Sequence, residues 1–446
     1  MKIVHCLNQY MPDAMAGTEI YVHTLAGFQN RSGHQVAVLV PHIEYYNPGK
    51  IKNNYQYEGI EVYQFLENGD PTDRQIHYGK KKPSGLNNFK NFLIKFKPDV
   101  VHFHELNRSI GLTIEHVKLA KQMGAKVFLT AHLSSYTCNT NILIRQNKLC
   151  NGVINLFQCT ACSYQVLFNI PEVLIKPLTG LSLFLKKSYL LDILPAGSGK
   201  TLLHVTKTIE RIKSDLATLV ENVDQIISYS KWYKEILIQN NVPIQKISVV
   251  PVALVSMGHL NIKPVLKTMK LPVRFVFIGR IQETKGIHLM IEAFRHFDKQ
   301  SAQIDIYGAA EETSYYKDCI SKSADVGSVN FMGPLKREAV LSTLSQYDMF
   351  CLASTFSEMS PLVIQESFAA GIPVLASKVY GNIEQIKHGY NGLLFDFNSP
   401  DDLKMKIEYL VNDTSIIRKL SENIIPPNQF QMVHEAYLEI YNRTYI

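Results

Sequence analysis

The stretch MFCLASTFSEMSPLVIQESFAAGIPVLAS (349–377) decides the fold. MFCLAS (349–354) and IPVLAS (372–377) are short continuous apolar runs, the pattern of strands buried on both faces. Between them PLVIQESFAAG is apolar on nearly every side, as a helix buried all round must be. Ser360 suits an N-cap, Pro361 the first helical position and Gly371 the stop, so a helix is predicted over 361–370. Burying Glu366 in it costs several kcal/mol unless the charge has a partner. A structural ion pair is one answer, and a bound ligand is the other.

Outward from this unit the same alternation runs in both directions. RFVFIG (274–279), QIDIYG (303–308) and VNFMG (329–333) read as strands, with helices predicted near 286–297 and 312–325. In the first half KIVHCL (2–7), QVAVLV (35–40), DVVHFH (99–104), KVFLTAH (126–132), DQIISYS (224–230) and KISVVPV (246–252) read as strands. Helical spacing with Gly or Pro stops fills 19–33, 85–98 and 109–124, and 231–242 is a further helix. The pattern lapses from 253 to about 270, as a linker should. The expectation is α/β, two doubly wound Rossmann-like domains facing a cleft, with ligands beyond the carboxyl ends of the strands. The expected limits are 1–255, 256–428 and a C-terminal helix, 429–446, packed back on the first domain.

Bulk composition agrees with two globular domains. The chain has 446 residues, 46% hydrophobic and 19% charged, with a net charge of +7. No Lys/Arg stripe appears, which speaks against a nucleic-acid partner. No signal segment and no run of 18 apolar residues is evident, and seven cysteines point to a reducing, cytoplasmic compartment. The nearest membrane candidate is VLIKPLTGLSLFLKKSYLLDIL (173–194), broken by Lys, Pro and Gly. It would lie on a membrane surface or cover an internal groove.

Charged residues gather where strands end. GRIQETKG (279–286) delivers Arg280 and Lys285 at one strand's carboxyl edge, and SEMSPL places a helix N-terminus at the same edge. Fixed cations and a helix N-terminus together suit a diphosphate, with Ser360, Leu362 and Val363 at the helix start. Glu366, about two turns into the helix, is placed to accept hydrogen bonds from a ribose. Glu358, on the loop, points to the side where a sugar on the distal phosphate would lie.

These residues resemble the retaining glycosyltransferases of family 4, with the GT-B fold. The likeness rests on GRIQETKG, on Glu358 and Glu366 seven residues apart, and on PVLASKVYGNIEQIKHGYNGLLF (373–395). It extends to KPDVVHFHE (97–105), LTAH (129–132) and MAGTEIYVHTLA (15–26), and so covers nearly the whole chain. The resemblance implies that Arg280 and Lys285 hold the donor diphosphate, that Glu366 binds the ribose and that Glu358 binds the donor sugar. It implies that Gly17 approaches the phosphate or sugar from the first loop, and that His132 sits near the anomeric carbon. The implied donor is a nucleotide diphosphate sugar and the acceptor a glycan or lipid-linked glycan in polysaccharide biosynthesis. The resemblance implies that no cofactor is required for catalysis. Peripheral contact with the inner face of the membrane is part of the expectation. The pattern departs at Ala16-Gly17, at Met359-Ser360-Pro361 and at PVAL (251–254), which bears on donor identity.

Other readings stay open. A glycoside hydrolase would use Glu358 and Glu366 as acid and nucleophile, leaving Arg280 and Lys285 unexplained. A nucleotide-sugar epimerase would share the fold, and a non-catalytic glycan-binding protein the scaffold alone. Cys138, Cys150, Cys159 and Cys162 fall within one tract and make either a structural zinc site or buried thiols. AGSGKT (196–201) has Leu194 where a phosphate-binding loop needs glycine, and reads as an ordinary loop. His102 and His104 alternate on one strand; His104 would approach the cleft or serve packing, while His5 and His23 read as structural.

Overall fold

The computed structural model describes residues 1–49, 54–188, 202–254, 270–309 and 313–443. AGSGKT (196–201), the end of the 173–194 stretch and most of the expected linker lie outside them. The chain divides into two compact units. Unit 1 comprises Met1–Leu143, Cys150–Pro251 and Phe430–Ile446, and unit 2 comprises Ile144–Leu149 and Val252–Gln429.

Unit 1 is built on an eight-stranded sheet. Its strands are β1 (Lys2–Cys6), β2 (Gln35–Ile43), β3 (Tyr55–Tyr57), β4 (Ile60–Glu67), β5 (Val100–Phe103) and β6 (Lys126–Ala131). After the short hairpin β7 (Ile144–Arg145) and β8 (Lys148–Leu149) come β9 (Gln225–Ser228) and β10 (Ile247–Val249). The order is β10-β9-β6-β5-β1-β2-β4-β3, parallel except for the edge pair β3–β4. Ile3 of β1 lies opposite Val36 on one side and Val100 on the other, so strand order reverses at β1. The strands are apolar on both faces because helices cover both faces of such a sheet. The edge pair was not anticipated: polar IEVYQFLE alternates where the inner strands do not.

Unit 2 carries six parallel strands: β11 (Val273–Ile278), β12 (Ala302–Tyr307), β13 (Val329–Gly333), β14 (Met349–Leu352), β15 (Val374–Ser377) and β16 (Gly392–Phe395). Their order is β13-β12-β11-β14-β15-β16, with the reversal between β11 and β14. One continuous core of Phe275, Phe277, Phe294, Phe350, Ile364 and Leu375 holds the sheet to its helices.

The helix Phe430–Asn442 belongs to unit 1 and buries Tyr437 and Tyr441 completely. Its tyrosines meet polar side chains rather than a greasy wall. Tyr21 donates to Tyr437 at 3.3 Å, Tyr437 lies 3.0 Å from Thr130 Oγ1, and Tyr441 lies 2.5 Å from His102 Nδ1. Lys126 Nζ donates to the Tyr441 carbonyl at 2.8 Å. Removing the ring of Tyr437 therefore opens a cavity and takes one hydrogen-bond partner from each of Tyr21 and Thr130. Tyr437→Ala is expected to cost about 3–5 kcal/mol, read as a lower urea midpoint for the transition of unit 1.

Candidate functional site

The reversal between β11 and β14 brings together the turns that follow these two strands, and ligands sit at such points in doubly wound sheets. After β11, Arg280 is exposed and borders a cavity of about 210 Å³ with Gln282, Glu283, Thr313 and Tyr315. The chain then makes a short turn, Glu283–Lys285, and reaches Gly286 at φ +68°. A Cβ there would fall 1.9 Å from the Ala353 carbonyl, so only glycine lets the turn press on the end of β14. Thr355 fastens the contact, its N–H donating to Thr284 O at 2.9 Å and its hydroxyl to Glu283 O at 3.1 Å.

This contact delivers Lys285 to Glu358. Lys285 Nζ donates to Glu358 Oε1 at 2.5 Å, and Ser354 Oγ donates to the same oxygen at 2.8 Å. Glu358 is 7% exposed, and Lys285 also lies 5.1 Å from the centre of the Phe356 ring. The cation and the carboxylate, separated by more than seventy residues, thus form one unit.

The helix at this edge spans Leu362–Ala369. Pro361 takes the capping position expected of Ser360, whose hydroxyl instead accepts from Gln385 Nε2 at 3.2 Å. Leu362 and Val363 are the first two helical residues. Glu366 comes one turn in rather than two, is 4% exposed, and forms an ion pair with Arg337. Burial raises its pKa, and the Arg337 charge opposes the rise. Sequence reasoning missed Arg337. It lies in the polar loop after β13, PLKREA (334–339), where nothing in spacing or hydropathy separates a charge partner from a solvated one.

In unit 1, Gly17 is not in a loop but begins the helix Gly17–Arg31. The turn before it is fixed by Ala16 N–H donating to Glu19 Oε2 at 3.0 Å, and a Cβ on Gly17 would meet nothing within 4 Å. His132 follows β6, nearly buried, its Nε2 3.0 Å from His104 Nδ1 and its Nδ1 2.9 Å from Tyr229 OH. His104 Nε2 lies 2.9 Å from His5 Nδ1, and His5 Nε2 lies 2.7 Å from Gln29 Oε1. Burial lowers the pKa of all three histidines, to about 4 for His5 and about 3 for His132, so the rings are neutral. The Gln29 carbonyl can only accept, which places the His5 proton on Nε2. By the same step along the chain, His104 and His132 carry theirs on Nε2, and Tyr229 donates to His132.

Among the described residues one group of three side chains converges as metal ligands could, namely His5, His102 and His104. Their nitrogens are engaged by one another, by Gln29, Thr130 and Tyr441, and by His132, which gives them a hydrogen-bonding role. Cys138, Cys150, Cys159 and Cys162 do not gather into such a group, and none of the seven cysteines is in a disulfide. Cys159 and Cys162 are carried by the helix Leu156–Phe168, while Cys138 bonds Thr140 and the Cys150 backbone bonds Leu143. Of the two readings of this tract, the placement of the side chains is that of separate thiols.

A second cavity, about 570 Å³, opens in unit 1 beyond the ends of β1 and β5, at that sheet's own reversal. Asn8, Glu105, Asn107, Arg108, Tyr136 and Asp215 supply its polar lining. Burial pushes the Glu105 carboxyl up to about 7; Glu19 adds to this, and hydrogen bonds to Asn8 and Thr18 oppose it. Arg108, lowered by burial, donates to the Ser135 carbonyl at 2.6 Å. Glu105 ends KPDVVHFHE (97–105), and its environment comes from residues far along the chain.

Both sheets, with their reversals, give the GT-B fold, and solved structures share it. Anabaena HepE aligns with a TM-score of 0.60 at 14% identity, over 98% of each chain. The sucrose-phosphate synthase of Thermosynechococcus elongatus aligns with a TM-score of 0.66 at 16% identity, over 99% of this chain and 98% of that one. Residues 261–426 match the family model described as glycosyl transferases group 1. The amylovoran biosynthesis glycosyltransferase AmsK of Erwinia amylovora is 26% identical over 199 residues, 42% of this chain and 47% of the relative. An uncharacterized glycosyltransferase of Methanocaldococcus jannaschii is 28% identical over 148 residues, 33% of this chain and 41% of its own. The chain thus spans less than half the length of these two relatives.

Two outcomes are expected from the geometry. Lys285→Ala leaves Glu358 buried without its cation and should cost roughly 3 kcal/mol, whereas Lys285→Ala with Glu358→Ala should recover most of the loss in chemical denaturation. Glu105 holds its proton more tightly folded than unfolded, so its contribution is full below about pH 4 and is lost as pH rises to about 7. Glu105→Gln should remove that decline, up to roughly 3 kcal/mol, from the pH dependence of the urea midpoint.

Proposed function

We propose that the chain is a retaining glycosyltransferase of family 4 type, acting on a nucleotide diphosphate sugar. The observation that carries this reading is that the turns after β11 and β14, which bear Arg280 and the Lys285–Glu358 pair, lie with the Leu362 helix start at one sheet reversal, the Arg337–Glu366 pair following one turn into that helix. The acceptor is a glycan or lipid-linked glycan in polysaccharide biosynthesis, reached from the cytoplasmic side of a membrane. The relatives' names support this direction: one makes amylovoran, and the HepE structure holds UDP and glucose.

In this reading the donor diphosphate lies against Arg280, Lys285 and the N–H groups of Leu362 and Val363. These charges stabilise the leaving group as it departs, and no metal need touch it. Glu366, held by Arg337, accepts from the ribose hydroxyls. Glu358, held by Lys285 and Ser354, accepts from a hydroxyl of the donor sugar. Neutral His132 would serve as a fixed polar group rather than a base. The cavity lined by Glu105 and Arg108 takes the acceptor. During transfer the bond from the anomeric carbon to the phosphate oxygen breaks, and a bond to the acceptor oxygen forms on the same face. The acceptor proton passes to the departing phosphate oxygen.

Arg280 is the clean probe, because it is exposed and its removal leaves no buried charge. Arg280→Ala should weaken nucleoside diphosphate binding at least tenfold by calorimetry, with an unchanged urea midpoint; unaltered affinity would remove the phosphate assignment. The anomeric configuration of the product, read by proton NMR, tests retention. Sugar release without any nucleotide would instead identify a hydrolase, and a new sugar from donor alone an epimerase.

A further inference from the structure

β1 lies between β5 and β2, and a cavity opens beyond its end on each flank. The one beside Glu105 lies beyond β1 and β5. The other, about 540 Å³, lies beyond β1 and β2, whose last residues, Val40, Pro41, His42 and Ile43, form one of its walls. Asn8, Gln9, Ile43 and Tyr46 line both, so the segment that follows β1 is a partition shared by two neighbouring chambers. Gln9 and Tyr46 are exposed, Tyr46 at 59%, which puts the partition within reach of a ligand arriving from solvent. Each cavity alone lies in the range of roughly 300–1,000 Å³ that takes a small-molecule ligand, so the pair has more room than a single sugar ring fills.

The lining of the second cavity selects against charge. Among the described residues it holds no lysine and no arginine. Its acid is Asp13, and His42 Nε2 lies 3.3 Å from Glu44 Oε2. A phosphate or carboxylate ligand would need fixed cations that this lining lacks. In the first cavity the cation is Arg108, which donates to the Ser135 carbonyl and has Asp215 near it. What the two cavities share is carboxamide and phenol: Asn8, Gln9 and Tyr46, with Asn47 on the second side and Asn107 and Asn141 on the first. A carboxamide accepts and donates together, as a sugar hydroxyl does, and a tyrosine ring presents an apolar face with a polar tip. A lipid chain in their place would leave the amides unpaired. The partition is held in place, because Asn8 Oδ1 accepts from the Leu112 N–H at 2.9 Å. The Tyr46 ring is braced edge-on by Tyr45, their centres 5.3 Å apart.

We propose that the acceptor is a neutral glycan of at least two sugar units, with its receiving unit in the cavity beside Glu105, the preceding unit in the cavity beyond β1 and β2, and the Tyr46 ring packed against the junction. This deepens the proposed function and rests on its placing of the acceptor in the first cavity. A single sugar fills one chamber and leaves the other to water. Two linked units fill both, and the second then binds as part of the same molecule, which raises affinity without any new contact to the first.

The test is binding of the full chain, with no donor present, to a printed array of bacterial glycan fragments that runs from single sugars to hexasaccharides, neutral and acidic. Half-saturation is expected at a protein concentration at least tenfold lower on neutral fragments of two or more units than on the matching single sugars. Tyr46→Ala with Asn47→Ala should remove that advantage, and Tyr46→Phe, which keeps the ring, should retain it. Both positions are exposed, so thermal unfolding should be unchanged in each variant. Failure to bind any fragment, equal binding of single sugars, a requirement for acidic fragments, or undiminished binding by the double variant overturns the proposal. No nucleotide takes part, so the two readings fail separately. A chain that binds nucleoside diphosphate but shows no preference for longer glycans loses this proposal alone, and one that binds longer glycans but no nucleoside diphosphate loses the transferase reading alone.

Discussion

The ion pair between Lys285 and Glu358 is the constraint on which the edge of unit 2 depends. A carboxylate this buried costs several kcal/mol unless a cation reaches it with good geometry. The cation arrives from the neighbouring strand's turn, which is possible only because Gly286 lets backbone touch backbone at Ala353. Gly381 repeats the device on the other flank, where a Cβ would fall 2.3 Å from the Glu358 carbonyl. The loop bearing Glu358 is therefore held through its side chain by Lys285 and along its backbone by a close glycine. Such a loop is preorganised, and a ligand need not spend binding energy ordering it.

Much of this was legible in the chain. The buried strands and the helix around Glu366 follow from continuous apolar runs between turn residues, because both faces of a parallel sheet must be covered. β13 keeps its predicted limits, and the other inner strands differ by a residue or a few at their ends, where the last hydrogen bonds depend on neighbours. The charged turns after β11 and β14 were visible because both motifs begin where an apolar run stops. What stayed hidden depends on contacts between distant residues. Arg337 looks like any solvated arginine until the loop after β13 is seen to reach Glu366. Ser360 looks like a cap until Gln385 takes its hydroxyl. The cysteine tract invites a metal by count alone, but its four thiols do not converge on one point.

The first unit solves a different problem. Four buried histidines line its central strands, His5 within β1, His102 within β5, and His104 and His132 just past β5 and β6, and burial would make a charged ring expensive there. Three of the rings, His132, His104 and His5, are joined nose to tail, and His102 bonds Thr130 and Tyr441 instead, so the nitrogens are satisfied with the rings neutral. The arrangement sets one direction for every proton from Tyr229 to Gln29. That leaves His132 poorly suited to move a proton and well suited to stay where it is, while burial brings the Glu105 carboxyl of the same unit up to about 7.

The helix Phe430–Asn442 has a consequence for how the molecule is made. It completes the polar seam of the first unit, yet the whole of the second is translated before it. At about 5–20 residues per second that interval is roughly ten to forty seconds. Until then His102, Thr130 and Tyr21 face an empty slot in an otherwise assembled sheet. A ribosome that stalled short of Phe430 would release a protein whose second half is finished and whose first half is unsealed, a lesion open to a cell's proteases.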